Sequence, residues 1–486
     1  MLCVKHCPVG TSIWGPGASR RAVRVLFHRV REGIPPPPSS MAGGWVWHRP
    51  CSPHRLVRNT DSRPDLALHQ VGLQCQPQKL RGAGWSGVFR VHRPLSGFPV
   101  QEGVSGLSSG AIDQVRLWTE QEFRVSKDAW EDLRARSDAD PLFMGWDWQW
   151  LWWHHHRELL EGTLSLISCY AGSRLVGLAP LYLHSARHRA GIRSTRMEII
   201  GSTWRDGRGV FSEYLDLIAD RGWRAEVAAA VGNALRLDSR WSDLVISNAP
   251  ASGVAARMVR DGLVPGVLLR ETDPMEAHRA ALPDNFPDYL SSLAGGVRRK
   301  LWNHRVKLTD PQLVIAGPKE VAGVFHQIDM FHIDRWNAPQ YVGVARDFHF
   351  ALAPRLLEQG ALRMSTLYAG GAPLAVMYNV RLGCTEYNIQ SGFDVAKAVG
   401  ISPGYLHFGY SLEEACRDGV RQFDFLAGEG RNRQYKQDFV TTAFPLVTFQ
   451  AIRAAHLKLL YRAHGLASMW KAGRSAPLGA APAATD

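Results

Sequence analysis

Cysteine is scarce in this chain of 486 residues, seven in all, and the seven form no framework. Cys3, Cys7, Cys51 and Cys75 lie early. Cys169, Cys384 and Cys416 follow at wide spacing, an odd number that argues against a disulfide-stapled fold and predicts three reduced packing residues. Long apolar runs are missing too. No stretch reaches the ~18 residues a membrane-spanning helix needs. After Lys5 no apolar signal core precedes Pro8, Pro16 and the Arg20, Arg21 pair, so the cytoplasm is the expected compartment. Acidic residues are nearly absent from positions 1–110, which hold 4 against 14 Lys and Arg, so ten of the thirteen net positive charges sit there. The rest of the chain is close to neutral, which argues against a folded polyanion-binding face.

What is present is ordinary globular composition, 45% hydrophobic and 21% charged. At roughly three times the usual domain length, two cores are expected rather than one. Positions 1–110 hold 26 of the chain's Gly and Pro residues, including Pro35 to Pro38, and show no sustained period of 2 or 3.6. They are expected to be a disordered basic extension or a wrongly assigned start, with a nucleic-acid-binding arm as the functional alternative.

From 112 onward the patterns predict a helix over 126–136 with Ser126 as N-cap, a second helix over 147–160, and an apolar hairpin over 164–170 and 175–184. Strands at 197–201 and 214–219 follow, then helix 223–237, strand 243–248, helix 252–260 and strand 263–270. The second half repeats the order. Helices at 297–307, 319–336 and 346–359 lead into a meander over 362–368, 374–380 and 385–390, then helix 404–417 and strand 422–426. Both hairpins carry the same letters, Tyr170-Ala171-Gly172 and Tyr368-Ala369-Gly370. A tandem duplication is inferred, with units at 111–275 and 285–471 and a loose tail at 472–486.

Several segments in this order carry a family resemblance: Asp140-Pro141-Leu142-Phe143 with the Trp-rich stretch through Trp153, Arg174 to Tyr182, Ser212-Glu213-Tyr214-Leu215-Asp216, Val297 to Leu301, and His332-Ile333-Asp334-Arg335-Trp336. Ser391 to Asp394, Ser402-Pro403-Gly404, Phe423-Asp424-Phe425-Leu426 and Tyr435-Lys436 complete it. From about 117 to 435 the chain resembles the GNAT-superfamily acyltransferases of the cellulose-biosynthesis (BcsL/CelD-like) type, which are related to the FemAB-like tandem-GNAT peptidyltransferases. The resemblance implies an α+β fold of tandem duplicated GNAT-like domains, with mixed, largely antiparallel sheets and flanking helices. It further implies acyl transfer from acetyl-CoA or another acyl-CoA to an amine or hydroxyl on a small-molecule, sugar or lipid-linked acceptor, with no metal. The extra polar stretch at 430–434 departs from the family pattern. An aminoacyl-tRNA-dependent peptidyltransferase and a non-catalytic polysaccharide-biosynthesis accessory protein are the alternatives.

A thioester is already activated, so the protein must hold the donor, receive its pyrophosphate, polarise a carbonyl and remove one proton. A strand running through a Gly-containing turn into a helix N-terminus suits the pyrophosphate. Thr385 to Gln390, then Lys397, Gly400, Ser402 and Gly404, then the helix to Arg417, has that order, although Gly400, Pro403 and Gly404 also suit plain helix initiation. The catalytic candidates are His332, Glu429, Tyr387 and Gln390, and the substrate-binding candidates are Arg335, Trp336, Tyr435 and Lys436. Each has a bland counterpart: a packed histidine, a turn carboxylate, a cross-strand pair, a surface lysine. His154, His155 and His156 project about 100° apart on a helix and cannot converge on one ion. The tryptophans at 146, 148, 150, 152 and 153 are expected to pack a helix against the first sheet, with sugar stacking as the alternative.

Overall fold

The computed structural model describes residues 111–188, 191–207, 209–428, 435–439 and 441–464. The expectations for 1–110 and for the 472–486 tail, and the candidate Glu429, lie outside the described residues.

The first half runs β1 (Gln114–Trp118), α1 (Glu120–Val125), α2 (Lys127–Ala135), α3 (Trp146–His156), β2 (Thr163–Leu164), β3 (Leu166–Ala171), β4 (Arg174–Ala179), β5 (Leu181–Arg187) and β6 (Arg193–Ile199). It continues with β7 (Ile218–Ala219), α4 (Arg224–Leu237), β8 (Asp243–Pro250), α5 (Val254–Arg260) and β9 (Leu268–Ala281). Two short helices, α6 (Phe286–Ser292) and α7 (Gly295–Leu301), lead to the second half. That half is β10 (Gln312–Ile315), α8 (Val321–Trp336), α9 (Gly343–Glu358), β11 (Leu362–Ala369), β12 (Ala372–Leu382), β13 (Thr385–Phe393), α10 (Pro403–Arg417), β14 (Gln422–Ala427) and β15 (Thr441–Ile452).

Local chemistry accounts for several boundaries. Thr119 and Glu122 form a reciprocal capping box that starts α1, and Ser126 is the N-cap residue of α2 as expected, although its hydroxyl donates to the Phe123 carbonyl at 2.9 Å and makes no capping bond. Pro180 has no N–H to give, and the hairpin divides there, β3 and β4 joining a four-stranded sheet and β5 a sheet of eleven strands. The segment expected as a strand over 214–219 is mostly loop; only β7 pairs, with β4, and the counterpart of β13 is β6. Cys169 and Cys416 are buried as expected, but Cys384 is exposed in a turn rather than packed in a core.

The two halves share one topology. In each, three antiparallel strands are followed by a helix and a strand that pairs in parallel with the third: β6 with β8, and β13 with β14. The final strands are exchanged. In the order β14-β9-β15-β8, the last strand of the first half lies against the second half and the last strand of the second half against the first. β9 thus runs past 275, the expected end of the first unit, and seams the halves together.

The Trp-rich helix α3 is buried along most of its surface, with only Asp147, His154 and His155 left partly or fully open. It lies between the halves rather than only against the first sheet. Trp152 and Trp153 pack on Tyr182 of β5, and Trp148 meets Phe348 of α9 edge-on at 5.0 Å.

Candidate functional site

β13 and β14 pair only over residues 385–387 and 422–424, then diverge. Beyond that apex, side chains serve the backbone where a strand would have done so. On β14, Leu426 holds a left-handed backbone (φ 59) at an irregularity between Asp424 and Ala427. The Lys436 ammonium donates to the Leu426 and Ala427 carbonyls at 2.9 and 2.8 Å, and the Ala427 N–H donates to Glu213 at 2.7 Å. Lys436 is therefore a buried strut and not a solvent-facing cation. Burial pulls its pKa down, opposed by the Glu213 and Asp424 charges, and pushes that of the fully buried Glu213 up, opposed by Lys436.

On β13 the pairing with β12 slips at Ile389: Tyr378 faces Gln390, and Asn379 faces Asn388. Three residues apart on a regular strand, Tyr387 and Gln390 would point to opposite faces. The extra residue puts both on the face covered by α8 and α9. Gln390 is buried with its Nε2 lacking a partner, and its Oε1 accepts from the Ser391 N–H. His332, on α8, is likewise buried with Nε2 unpartnered; burial holds its pKa below the usual imidazole value, opposed by the Ser391 backbone. Near the helix end the Arg335 guanidinium lies 4.9 Å from the exposed Trp336 ring and 5.0 Å from Phe393. A Cβ on Gly404 would lie 3.4 Å from the same Phe393 ring. Tyr435 packs beside Tyr405, Phe408 and Phe439. His332, Gln390, Arg335, Trp336, Gly404 and Tyr435 thus belong to one neighbourhood, where β13, α8 and the start of α10 meet.

The turn into α10 spans 394–402. Gly400 has φ 71, and its carbonyl accepts from Lys307 at 2.9 Å. Lys397 is exposed and reaches Asp394 at 3.2 Å and the Pro373 carbonyl at 3.4 Å. Ser402 is the N-cap of α10 but makes no side-chain capping bond, and Pro403 follows it at the first helical position. Lys300 stands 5.4 Å from the Tyr405 ring. An uncapped 15-residue helix and three flanking lysines make this end positive.

The first half closes the corresponding wedge with its own chain. Ser202 bonds Ser247 of β8 at 2.8 Å, Asn248 of β8 bonds the Ser212 carbonyl at 3.0 Å, and the buried Glu198 accepts from the Trp204 N–H at 2.8 Å. Asp220 starts the short turn that precedes α4, accepting from the Gly222 N–H, and pairs with Arg136 and Arg174.

A cavity of about 420 Å³ lies between the halves beside the wedge apex. The first half contributes Asp140, Tyr214 and Arg224, β9 contributes Arg279, and the second half contributes Thr385 and Tyr387. The hydroxyl of Tyr387, one of the catalytic candidates, donates to Asp140 at 3.1 Å. Asp424 accepts from the Tyr214 hydroxyl at 2.9 Å and from Arg279 at 2.7 Å. Asp140 and Asp424 carried no assigned role in the sequence; their only signal was membership of two of the resemblance segments.

Residues 297–437 match the family model described as an acetyltransferase (GNAT) domain. No curated protein matches the chain. Solved structures of similar shape include FemX, at 10% identity and a TM-score of 0.49, covering 71% of this chain and 99% of that one. A tandem GNAT protein from the clavulanic acid biosynthesis pathway aligns at 13% identity and a TM-score of 0.39, covering 70% and 98%. The C-terminal domain of a putative lysylphosphatidylglycerol synthetase from Agrobacterium fabrum aligns at 10% and 0.41, covering 70% and 95%.

Proposed function

We propose that the chain is an acyltransferase that takes an acyl group from a coenzyme A thioester held by the second half and passes it to an acceptor lying between the halves. The observation that carries this is the open wedge of β13 and β14 beneath an uncapped helix N-terminus, inside the segment that matches the acetyltransferase domain. From Asn388 onward β13 has no strand on its β14 side among the described residues, so its backbone is available to the amides of a pantetheine arm. The start of α10, with Lys307 and Lys397 beside it, suits the pyrophosphate. His332 and Gln390, buried with unpartnered nitrogens, are assigned to polarise the thioester carbonyl. A place in polysaccharide or cell-envelope biosynthesis rests on the family resemblance alone. Incubation with acetyl-CoA and acceptor mixtures, with release of free thiol as the readout, tests the proposal. Thiol release that needs both components supports it. Turnover only with charged tRNA would instead assign an aminoacyl transferase.

A further inference from the structure

The start of α10 stands inside a surface whose charge is of one sign. Residues 289–309 hold no acidic residue and five basic ones, Arg298, Arg299 and Lys300 of α7 and Arg305 and Lys307 of the turn after it. Residues 395–412, which form the turn into α10 and its first half, hold no acid either and add Lys397. Packing brings the two segments together. The Leu301 carbonyl lies against Gly409 of α10, Trp302 meets the Tyr410 ring edge-on at 5.4 Å, and Lys307 donates to the Gly400 carbonyl. None of the five cations on α7 and its turn pairs with a carboxylate among the described residues. Of the neighbouring acids, Asp394 is paired with Lys397 and Asp438 accepts from the Tyr405 hydroxyl at 2.7 Å, so the balance is strongly positive.

Aliphatic tips stand among these cations. Val306 is 82% exposed, Val399 88% and Val395 46%. Val306 precedes Lys307 and Val399 precedes Gly400, so the two most exposed valines flank the hydrogen bond that joins their segments. A sugar-phosphate backbone is held by cations and does not bury valines. A folded protein does both, setting its acids against the cations and covering the apolar tips. Beyond its pyrophosphate, coenzyme A is a single nucleotide with one further phosphate, too small to meet cations spread along α7 and the turn after it.

We propose that this surface docks an acidic protein that carries its acyl group on a phosphopantetheine arm, and that such an acyl carrier is the donor, with coenzyme A a smaller stand-in for it. This rests on the second half being the acyl-donor site, because the arm and its thioester are what a carrier shares with coenzyme A. The carrier's acidic face meets the cations of α7 and its turn, and its apolar contacts cover Val306 and Val399. Its single phosphodiester takes the uncapped start of α10, and the arm runs from there into the wedge of β13 and β14.

The test uses the full chain and calorimetric titration with coenzyme A and with a bacterial acyl carrier protein, in its apo form without the arm and in its holo form with it. The parent is expected to bind the holo carrier about tenfold or more tighter than coenzyme A, to bind the apo carrier less well than the holo, and to lose carrier affinity as salt rises. Arg299→Glu reverses an exposed charge on α7, and Val306→Asp puts a carboxylate on an exposed tip; neither residue belongs to the wedge. Each is expected to weaken the holo carrier about tenfold and to leave coenzyme A at parental affinity, which also shows that the variant is folded. A carrier bound no more tightly than coenzyme A, variants that weaken both ligands alike, or variants that hold the carrier like the parent overturn the proposal while leaving the donor site intact. Acyl transfer from charged tRNA that both variants abolish gives the surface to a nucleic acid and overturns it as well. A parent that binds neither coenzyme A nor the holo carrier strikes the donor site itself, and the carrier surface with it.

Discussion

His407 shows how one buried side chain writes a pH dependence into the fold. It lies on α10 with no exposure, its Nε2 is 2.8 Å from the Ser365 hydroxyl, and burial lowers its pKa to about 3. The unfolded chain binds that proton near pH 6.5, so between pH 6.5 and 3 the unfolded state holds more protons. The contribution of His407 is full above pH 6.5 and is lost as pH falls. His407→Gln should therefore flatten the loss of denaturation midpoint between pH 6.5 and 4, by up to ~1.4 kcal/mol for each pH unit. Identical slopes for parent and variant would show that the imidazole is not buried neutral. The residue scale is also where the sequence was least legible. Tyr387 and Gln390 were both singled out, but only the extra residue at Ile389 puts them on one face. The left-handed Leu426 carries no signal in sequence, although its counterpart Asn248 is of a type that visits that region more readily.

Elements were easier to read where an apolar period was unbroken. The meander, α8, α9 and α10 fall within a few residues of their expected bounds. Three strands were missed for physical reasons. β1 and β10 are short edges with mostly exposed side chains, and β15 contains Pro445, which masks a strand pairing along nearly all of β9. β9 itself was expected to stop near 270 because Glu271, Asp273, Glu276 and Arg279 break the pattern. In the structure it runs to Ala281, and Arg279 finds its partner across the strands in Asp424. Glycine supplies the sharpest test of helix packing. A Cβ on Gly409 of α10 would come within 2.2 Å of the Leu301 carbonyl at the end of α7. Gly409→Ala should lower stability by about 1–3 kcal/mol, seen as an earlier denaturation midpoint. An unchanged midpoint would mean that α7 and α10 do not meet so closely.

At the scale of the whole molecule, the duplication was legible in the repeated Tyr-Ala-Gly hairpins, but the strand exchange was not. No local pattern says which half a strand will join. Its consequence is that neither half closes its sheet alone: residues 111–282 without the second half leave both long edges of β9 unpaired. That fragment should aggregate or remain unfolded on gel filtration and circular dichroism, and a monodisperse folded product would contradict the exchange. The central claim is that the acyl donor binds the second half and not the first, because the wedge of β13 and β14 stands open beside the start of α10, whereas the first half closes its wedge of β6 and β8 with its own loop. Gly404→Asp puts a carboxylate at the start of α10, where the nearest neighbour is the Phe393 ring at ordinary contact distance, so the fold can accept it. Calorimetric titration with coenzyme A decides the matter. At least a tenfold weaker affinity for Gly404→Asp, ~1.4 kcal/mol, with parent-like affinity for Asp220→Asn, is the predicted result. Parent-like affinity for Gly404→Asp, or a loss confined to Asp220→Asn, would contradict it.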